Sequence, residues 1–335
     1  MRIKLFLAKP ARIVITIILL TQSLLAAQAQ VITGGNNYIN TVADLDRSIA
    51  FYEEAFGLST QTMFAEPTGV PMIQNLTNTG NGLIRIGTAE IPGANFLLEF
   101  TEFSELNRNP GRFNMHDPGS ARLLLVVTDI DTMLEAAIAA GATIETTGGE
   151  ILRRDASDGS YNRAIFLRDL DGFLVELVQR YSATSVMPAM GNPAVIGGGF
   201  SITVENLERS IEFWRHFGID FISTLSGRSD PTSNALAATE GASLYGANVV
   251  IQNSDFSWSL FEFNNINRNA FQRNIPDPGA PALSLLINDM DAAMAAIDAS
   301  GADIVSVDNQ AVSIGEGANI FIRDPDGFLI ELIKR

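Results

Sequence analysis

The sequence contains no cysteine and only two histidines. The absence of cysteine excludes disulfides and thiol redox chemistry. His216 lies beside Trp214 and Phe217 at the predicted end of a helix, and His116 precedes Asp117 in a predicted loop. We interpret His216 as a helix-end cation or a partly exposed packing residue rather than a metal ligand. We interpret His116 as a loop residue, because no second histidine is available to pair with it.

Basic residues are also few. Lys334 is the only lysine after residue 29, and the formal net charge of the chain is −16. A chain with this excess of acid is not expected to bind nucleic acid or anionic lipid surfaces, since both carry negative charge themselves. We interpret the acidic residues as a solvated surface.

Long apolar runs are missing everywhere except at the N-terminus. Residues 1–29 start with basic side chains, continue with an apolar stretch at 13–25 and end on Ala27-Gln28-Ala29, a pattern typical of a signal peptide cleaved after Ala29. The stretch is shorter than the roughly 20 residues that span a bilayer. We therefore expect an exported protein, periplasmic or secreted, that is free of the membrane after cleavage.

The chain repeats itself over most of its length. Matching segments recur in the same order about 160 residues apart, which predicts a duplicated domain. We expect two domains at 31–182 and 195–335, joined by an ordered linker at 183–194. The repeated segments are 44–49 with 206–211, 107–109 with 267–269, 117–119 with 277–279, and 168–177 with 323–332.

A fainter repeat divides each half into two modules. The segment 42–46 is echoed at 127–131, and 204–208 at 287–291. Each module begins with an alternating stretch, continues with an amphipathic helix capped by Asp or Asn, and ends with about three strand-like runs. This βαβββ order predicts an α+β fold with helices on one face of a mostly antiparallel sheet. The Asp-x-Asp-Gly segments predict structural turns before the last strands.

These motifs resemble the vicinal oxygen chelate superfamily, which includes glyoxalase I, extradiol dioxygenases and bleomycin-resistance proteins. The similarity rests on Asp-Leu-Asp-Arg-Ser-Ile-x-Phe-Tyr, on Asp-Pro-Asp-Gly-Phe-Leu-Ile-Glu-Leu and on the doubled modules, and it covers almost all of residues 31–335. It implies tandem domains in which paired modules curl a sheet into a cup, with helices outside, around a small-molecule or metal site. The sequence leaves open whether each domain closes its own cup or borrows a module from the other. Membership alone does not name a reaction.

The resemblance also implies four metal-ligand positions for each site. In metal-using members, a His at the start of each module's first strand and a Glu near the end of its last strand hold a divalent ion. Counting back seven residues from each helix cap gives Asn37, Arg122, Gly199 and Ala282. None of these is a usual ligand, so we expect no metal and no cofactor.

Carboxylates persist at the other positions. Glu176 and Glu331 stand at the ends of the second and fourth modules, and Glu99 or Glu102 stands in the first. Glu262 of the third module aligns with Glu102 through the downstream Asn-Arg-Asn, or with Glu99 through the surrounding Leu-Glu-Phe and Phe-Glu-Phe. The sequence leaves both registers open.

The substitutions at the first-strand positions suggest what replaces the ion. We expect the Arg122 guanidinium to face Glu176 or Glu99, because a carboxylate inside a cup must be paired or neutralised. Gly199 and Ala282 leave space, which is either a cavity for an apolar ligand or is refilled by neighbours such as Phe200 or Trp258.

Three classes of function follow. We favour a metal-free protein that binds a small, partly apolar molecule in a cup. The second class is a lyase, isomerase or dioxygenase-type enzyme that uses Glu176 or Glu331 as a base or uses a metal. The third is a scaffold of paired modules. A small molecule is the expected partner, and a second copy in a homodimer is another candidate. The candidate ligand-binding residues are Asn37, Glu99, Glu102, Arg122, Glu176, Gly199, Glu262, Ala282 and Glu331.

Overall fold

The computed structural model describes residues 30–182, 194–270 and 272–335. The predicted signal peptide and residues 183–193 of the predicted linker lie outside the described residues. Within them, no helix is long and apolar enough to cross a membrane.

The first half of the chain contains two modules. The first comprises strand β1 (Ile32–Val42), helix α1 (Leu45–Phe56), β2 (Ser59–Thr68), α2 (Pro71–Thr77), β3 (Leu83–Glu90) and β4 (Leu97–Ser104). The second comprises β5 (Ala121–Val127), α3 (Ile130–Ala139), β6 (Thr143–Ile144), β7 (Leu152–Asp155), β8 (Tyr161–Arg168) and β9 (Leu174–Tyr181).

The second half repeats this order. The third module comprises β10 (Val195–Thr203), α4 (Leu207–Arg215), β11 (Asp220–Arg228), α5 (Pro231–Leu236), β12 (Ser243–Val250) and β13 (Ser259–Asn264). The fourth comprises β14 (Pro281–Ile287), α6 (Met290–Ser300), β15 (Asp303–Ile304), a 3-10 turn (Val307–Asn309), β16 (Val312–Ile314), β17 (Gly317–Arg323) and β18 (Leu329–Lys334). The predicted α+β class and the βαβββ modules are confirmed.

The helices begin where the sequence predicts. Asp44 and Asn206 each cap a helix by accepting a hydrogen bond from the backbone N–H three residues later. Gly57 ends α1 in the left-handed region, at φ 64°. The third module differs, because α4 ends at Arg215 and His216 forms its C-cap.

The modules pair across the two halves of the chain. One nine-stranded sheet joins the first and fourth modules in the order β15-β17-β18-β14-β1-β4-β3-β2, with β16 beside β17. The other joins the second and third in the order β11-β12-β13-β10-β5-β9-β8-β6, with β7 beside β8. We call them the 1–4 sheet and the 2–3 sheet. The two modules of each sheet are joined at its centre by an antiparallel pair of strands: β1 with β14 in the 1–4 sheet, and β10 with β5 in the 2–3 sheet. We call the concave inner faces of these sheets the 1–4 cup and the 2–3 cup.

The Asp-x-Asp-Gly turns hold modules of the same half together. The Asp171 carboxylate accepts hydrogen bonds from the backbone N–H of Ala43 and the hydroxyl of Ser48, at the start of α1. Asp326 accepts from the N–H of Glu205 before α4. Since the sheets join modules of different halves and the turns join modules of the same half, the two halves interlock.

The repeated loops add contacts between the halves. The N–H of Asn109 donates to Asp277 Oδ1 at 2.8 Å, and the N–H of Asn269 donates to Asp117 Oδ1 at 2.9 Å. These two reciprocal bonds give a structural role to segments 107–109 and 117–119 and to their copies. The repeated motifs therefore lie at the contacts between the modules of the chain.

Two apolar clusters fill the structure. The larger contains residues of both sheets and of α1, α3, α4 and α6. The smaller lies on the opposite face of the 1–4 sheet, because its members Ile39 and Ala282 alternate with Tyr38 and Leu283 of the larger cluster. The inside of the 1–4 cup is therefore packed with apolar side chains.

A buried tyrosine connects α1 to the turn of the second module. The Tyr52 hydroxyl donates to Asp169 Oδ2 at 2.9 Å, and both side chains are buried. Burial, with the nearby charge of Asp171, raises the pKa of Asp169 to about 7. Trp214 stands at the matching position of α4, so this hydrogen bond is particular to the first half.

Removing this hydroxyl should weaken the first half. We expect Tyr52→Phe to lower the free energy of unfolding by about 1.5–3 kcal/mol at pH 8, because the bond goes to a buried carboxyl that ionises there. At pH 5 Asp169 is protonated and the loss should be smaller. Urea unfolding at both pH values measures the difference. Tyr245→Phe, at an exposed tyrosine, is the control; equal losses in the two variants would contradict the assignment.

Candidate functional site

The inner face of the 2–3 sheet encloses the main cavity, of about 820 Å³. Its apolar wall comes from side chains of β8, β11, α5, β12 and β13. A second cavity of about 400 Å³ adjoins it, and Arg122 and Arg180 line both. Six of the apolar lining residues are Phe166, Leu225, Leu236, Leu244, Phe261 and Phe263.

Arg122 lies at the centre of this site. Its Nη1 is 2.5 Å from Glu176 Oε2, and its Nε donates to Ser201 Oγ at 2.8 Å. The guanidinium lies between the rings of Phe166 and Phe261, at 5.1 and 5.2 Å from their centroids. Burial lowers the pKa of Arg122, and the charge of Glu176 opposes that effect. The expected pairing with Glu176 is present, whereas the alternative partner, Glu99, belongs to the other sheet.

A second arginine shares the same carboxylate. Arg154 Nη2 lies 3.4 Å from Glu176 Oε1, and its Nε donates to Asn162 Oδ1 at 3.0 Å. Glu176 is almost fully buried, with its side chain 2% exposed. Two guanidinium groups therefore share one buried carboxylate.

The other sheet carries a pair of glutamates instead. Glu331 accepts hydrogen bonds from Ser284 Oγ at 2.9 Å and from Asn319 Nδ2 at 2.7 Å. Glu99 accepts from Asn37 Nδ2 at 2.6 Å. Burial raises the pKa of Glu99, and it raises the pKa of Glu331 to about 7, with the charge of Glu99 as the second cause.

The donors in the two cups do not fit the divalent ion that the family resemblance implies. In the 1–4 cup, amide and hydroxyl donors occupy oxygens of Glu99 and Glu331. In the 2–3 cup, Glu176 is bound by two guanidinium groups. Across the described ranges no group of three or more His, Cys, Asp or Glu side chains is placed to hold a metal ion.

Glu102 and Glu262 lie outside both cups. Glu102 Oε2 accepts from the N–H of Leu45 at 2.8 Å, and Glu262 Oε2 accepts from the N–H of Leu207 at 2.7 Å. Each carboxylate thus binds the N-terminus of a helix, where the helix dipole favours negative charge. These equivalent bonds settle the register: Glu262 corresponds to Glu102.

The structural equivalent of Glu99 in the third module is a serine. In the parallel pairing with the first strand, Glu99 lies opposite Ile39, and Ser259 lies opposite the equivalent residue, Ser201. The 2–3 cup therefore has one of the two inward glutamates that the 1–4 cup has.

Gly199 and Ala282 have different surroundings although both lie seven residues before a helix cap. A Cβ on Gly199 would meet no atom within 4 Å, and Gly199 lines the 400 Å³ cavity. Phe200 and Trp258, which stack at 6.0 Å, leave that space open. Ala282 is buried in the smaller apolar cluster. Gly199 therefore leaves an open cavity, whereas the space beside Ala282 is filled by apolar side chains other than Phe200 and Trp258.

These surroundings predict opposite effects of one substitution. We expect Gly199→Leu to keep the free energy of unfolding within about 1 kcal/mol of the original, since the new side chain enters open space at a strand position. Ala282→Leu should cost about 1–3 kcal/mol through overpacking. Urea denaturation of both variants provides the measurement. A larger loss for Gly199→Leu than for Ala282→Leu would contradict the described cavity.

Neither histidine lines the main cavity or the 400 Å³ cavity. His116 Nε2 is 3.9 Å from Asp117 Oδ1, and burial lowers the pKa of the imidazole. His216 forms the C-cap of α4. Their positions agree with the structural roles that the sequence analysis assigns to them.

Besides Arg122, four arginines line the main cavity, and the sequence did not indicate any of them: Arg153, Arg154, Arg180 and Arg228. Arg154 lies on the short strand β7, and Arg180 and Arg228 lie at the rim of the main cavity. Arg180 follows Glu176 by four residues on β9, so strand alternation places it on the same inward face. That spacing is the one sequence signal available; nothing comparable distinguishes Arg154 or Arg228.

Comparison with known proteins places this geometry in a family. The family model described as Glyoxalase/Bleomycin resistance protein/Dioxygenase superfamily matches residues 37–177 and 198–332. A comparison with curated protein sequences finds no significant match.

Solved structures share the fold. Glyoxalase I from Zea mays is 19% identical, with a TM-score of 0.55 over 90% of this chain and 92% of that one. A putative dioxygenase from Bacillus subtilis is 11% identical, with a TM-score of 0.54 over 91% of this chain and 86% of that one. Identities this low show the fold alone. On the match over both halves, the chain belongs to the glyoxalase/bleomycin resistance protein/dioxygenase superfamily.

Proposed function

We propose that the chain is an exported protein that binds a small molecule in the main cavity of the 2–3 cup without a metal ion. The observation that carries this proposal is the open space of about 820 Å³ beside the buried Arg122–Glu176 pair. Volumes of about 300–1,000 Å³ with mostly apolar walls and a few placed polar groups are typical of small-molecule sites. Export is supported by the pattern of residues 1–29, and an N-terminus beginning at Gln30, found by mass spectrometry, would test it.

Binding is favoured over catalysis at this cavity because of how its carboxylate is held. A general base must be able to accept a proton from the substrate. Glu176 is engaged by Arg122 and Arg154, so its oxygens are directed at guanidinium groups. The arrangement provides a charged, preformed wall for a ligand.

A cavity-blocking variant tests this proposal. Leu225→Trp puts a large ring into the main cavity, and Ile222→Trp adds the same ring at an exposed position of the same strand, β11. A panel of neutral, cationic and anionic aromatic compounds is screened by thermal shift and by tryptophan fluorescence. We expect at least one compound to bind the original chain and the Ile222→Trp control but not Leu225→Trp. Binding by none of them would contradict the proposal.

A glutamate-based enzyme in the 1–4 cup is the second candidate. The pKa of Glu331 at about 7 favours it, since a base works best near the pH of its surroundings. The apolar cluster that fills this cup ranks the candidate below binding. Hydrogen–deuterium exchange at the carbon acids of small 2-oxo compounds, followed by NMR, would test it: the exchange should occur with the original chain and stop in Glu331→Gln.

A further inference from the structure

We propose, resting on the binding function above, that the ligand of the 2–3 cup is a small carboxylic acid with an aromatic or branched apolar body. The charged side chains inside the cup are unequal in number. Arg122 and Arg154 provide two positive charges, and Glu176 provides one negative charge. One guanidinium charge is therefore not balanced by the inner wall of the site.

The pseudo-symmetry of the two sheets shows where a second carboxylate is missing. The 1–4 cup contains two inward glutamates, and the 2–3 cup contains Glu176 with Ser259 at the other position. Ser259 lines the 400 Å³ cavity together with Arg122. A ligand carboxylate placed beside Arg122 and Arg154 would supply the negative charge that the inner wall of the 2–3 cup lacks.

The remaining charges around the cavity do not provide this balance. Asp155 pairs with Arg153, Asp158 accepts hydrogen bonds from Ser160, and Asp230 caps α5. Asp155 is therefore paired with a cation, whereas Asp158 and Asp230 keep their charge because their hydrogen-bond donors are neutral. Asp155 and Asp158 are exposed and Glu176 is buried, so these charges lie on the outer part of the wall.

The rim of the main cavity carries arginines and aspartates in equal number. Arg180 and Arg228 are exposed lining residues, and in the described part of the chain neither forms an ion pair with a carboxylate. The chain as a whole has a net charge of −16. Arg180 and Arg228 are matched in number by Asp158 and Asp230, and Arg153 by Asp155, so the one excess positive charge of the cavity lies at its inner wall, where it favours an anion.

The body of the ligand follows from the apolar wall. Phe166, Phe261 and Phe263 line the inner part, and leucines line the side formed by the third module. Tyr161 and Tyr181 stack at 4.2 Å on the opposite side. Planar apolar groups gain free energy from burial against such surfaces. A single uncompensated charge together with this wall fits a monoanion with an apolar body.

Four probes of nearly the same shape separate the possibilities: 2-naphthoate, 2-naphthamide, 2-naphthylmethylamine and 2-naphthyl phosphate. Binding is measured by isothermal titration calorimetry on the full mature chain. We expect 2-naphthoate to bind at least about tenfold more tightly than the amide, and the amine to bind weakest, since one charge contact changes affinity by about this factor. Raising the salt concentration should weaken the naphthoate most.

Two variants locate the anion. Arg154→Gln should weaken 2-naphthoate about tenfold and leave the amide unchanged. Glu176→Gln should strengthen the binding of 2-naphthoate, because both guanidinium groups then lose their internal partner. If this variant does not fold, the result with Arg154→Gln tests the position of the anion by itself. Arg215→Gln is the matched control: Arg215 lies on α4, pairs with Glu212 and lines neither cavity. It should leave every affinity unchanged.

The outcomes are distinguishable. Amide binding as tight as naphthoate binding, blocked by Leu225→Trp and insensitive to Arg154→Gln, would overturn the anion inference and leave the binding function standing. Tighter binding of naphthyl phosphate than of naphthoate would overturn the carboxylate in favour of a phosphate. Absence of binding by all four probes to the folded chain would overturn this inference, and the binding function would then rest on the wider screen described above.

Discussion

Glu176→Gln is expected to lower the free energy of unfolding by about 3–5 kcal/mol, since loss of one partner leaves buried charges unpaired. The carboxylate binds Arg122 at 2.5 Å and Arg154 at 3.4 Å, and it is 2% exposed. Without its charge, the two guanidinium groups repel each other inside the cup and lack a counterion. Urea unfolding at pH 7.5 gives the measurement.

Glu331→Gln is the matched control for this prediction. Glu176 and Glu331 occupy equivalent positions, opposite Leu124 in β5 and Ser284 in β14. Glu331 contacts amide and hydroxyl donors rather than guanidinium groups, and its pKa of about 7 means that it is half protonated near neutral pH. Glutamine resembles the protonated form, so little stability should be lost. Equal losses in the two variants would show that the ion pair does not stabilise the 2–3 cup.

A double variant separates the charge from the packing. Arg122→Leu combined with Glu176→Leu removes the closer ion pair and replaces it with apolar side chains, which often restores the stability that a single change removes. Arg154 loses its carboxylate too, but its side chain is 31% exposed and keeps contact with solvent. We expect the double variant to be more stable than Glu176→Gln. It should still lose affinity for 2-naphthoate, because the inner guanidinium is gone.

The repeats predicted most of the fold because they are local features. The helix caps at Asp44 and Asn206 depend on side chains within three residues of the hydrogen bonds they make. The turns at 169–172 and 324–327 are likewise specified by their own residues. The pairing of modules between halves is different. The strands β1 and β5 both present one apolar face to the helices, and that pattern is the same whichever strand lies beside them.

The sequence predicted only those site residues that lie at a fixed distance, seven residues, before the N-cap of a helix. That count finds Arg122, and the need to neutralise a buried carboxylate predicts Glu176 as one of its two partners. No cap fixes the register of Glu262, which the sequence aligns with either Glu102 or Glu99. These two residues are three apart on one strand, so their side chains lie on opposite faces. The hydrogen bond to Leu207 at the helix N-terminus decides the register, and that contact is visible only in three dimensions.

The second large effect is a loss of stability as the pH rises from 5 to 8. Burial raises the pKa of Asp169, Asp324 and Glu331 to about 7 in each case. In the unfolded chain these carboxyl groups release their protons near pH 4, while the folded chain keeps them. The folded state thus binds more protons in this range, so the free energy of unfolding falls with increasing pH.

The contribution of Glu331 can be isolated with its glutamine variant. Its stabilising effect is fully present below pH 4.5, the ordinary pKa of the group, and is lost as the pH rises through about 7. For a shift of this size the loss is about 3 kcal/mol. Glu331→Gln cannot ionise, so we expect a flatter profile between pH 5 and 8, with Asp169 and Asp324 supplying the remaining slope. Urea midpoints at intervals of half a pH unit provide the profile. A stability that increases from pH 5 to 8 in the original chain would mean that these carboxyl groups are ionised in the fold, and the two-glutamate cup would then need a cation to hold it together.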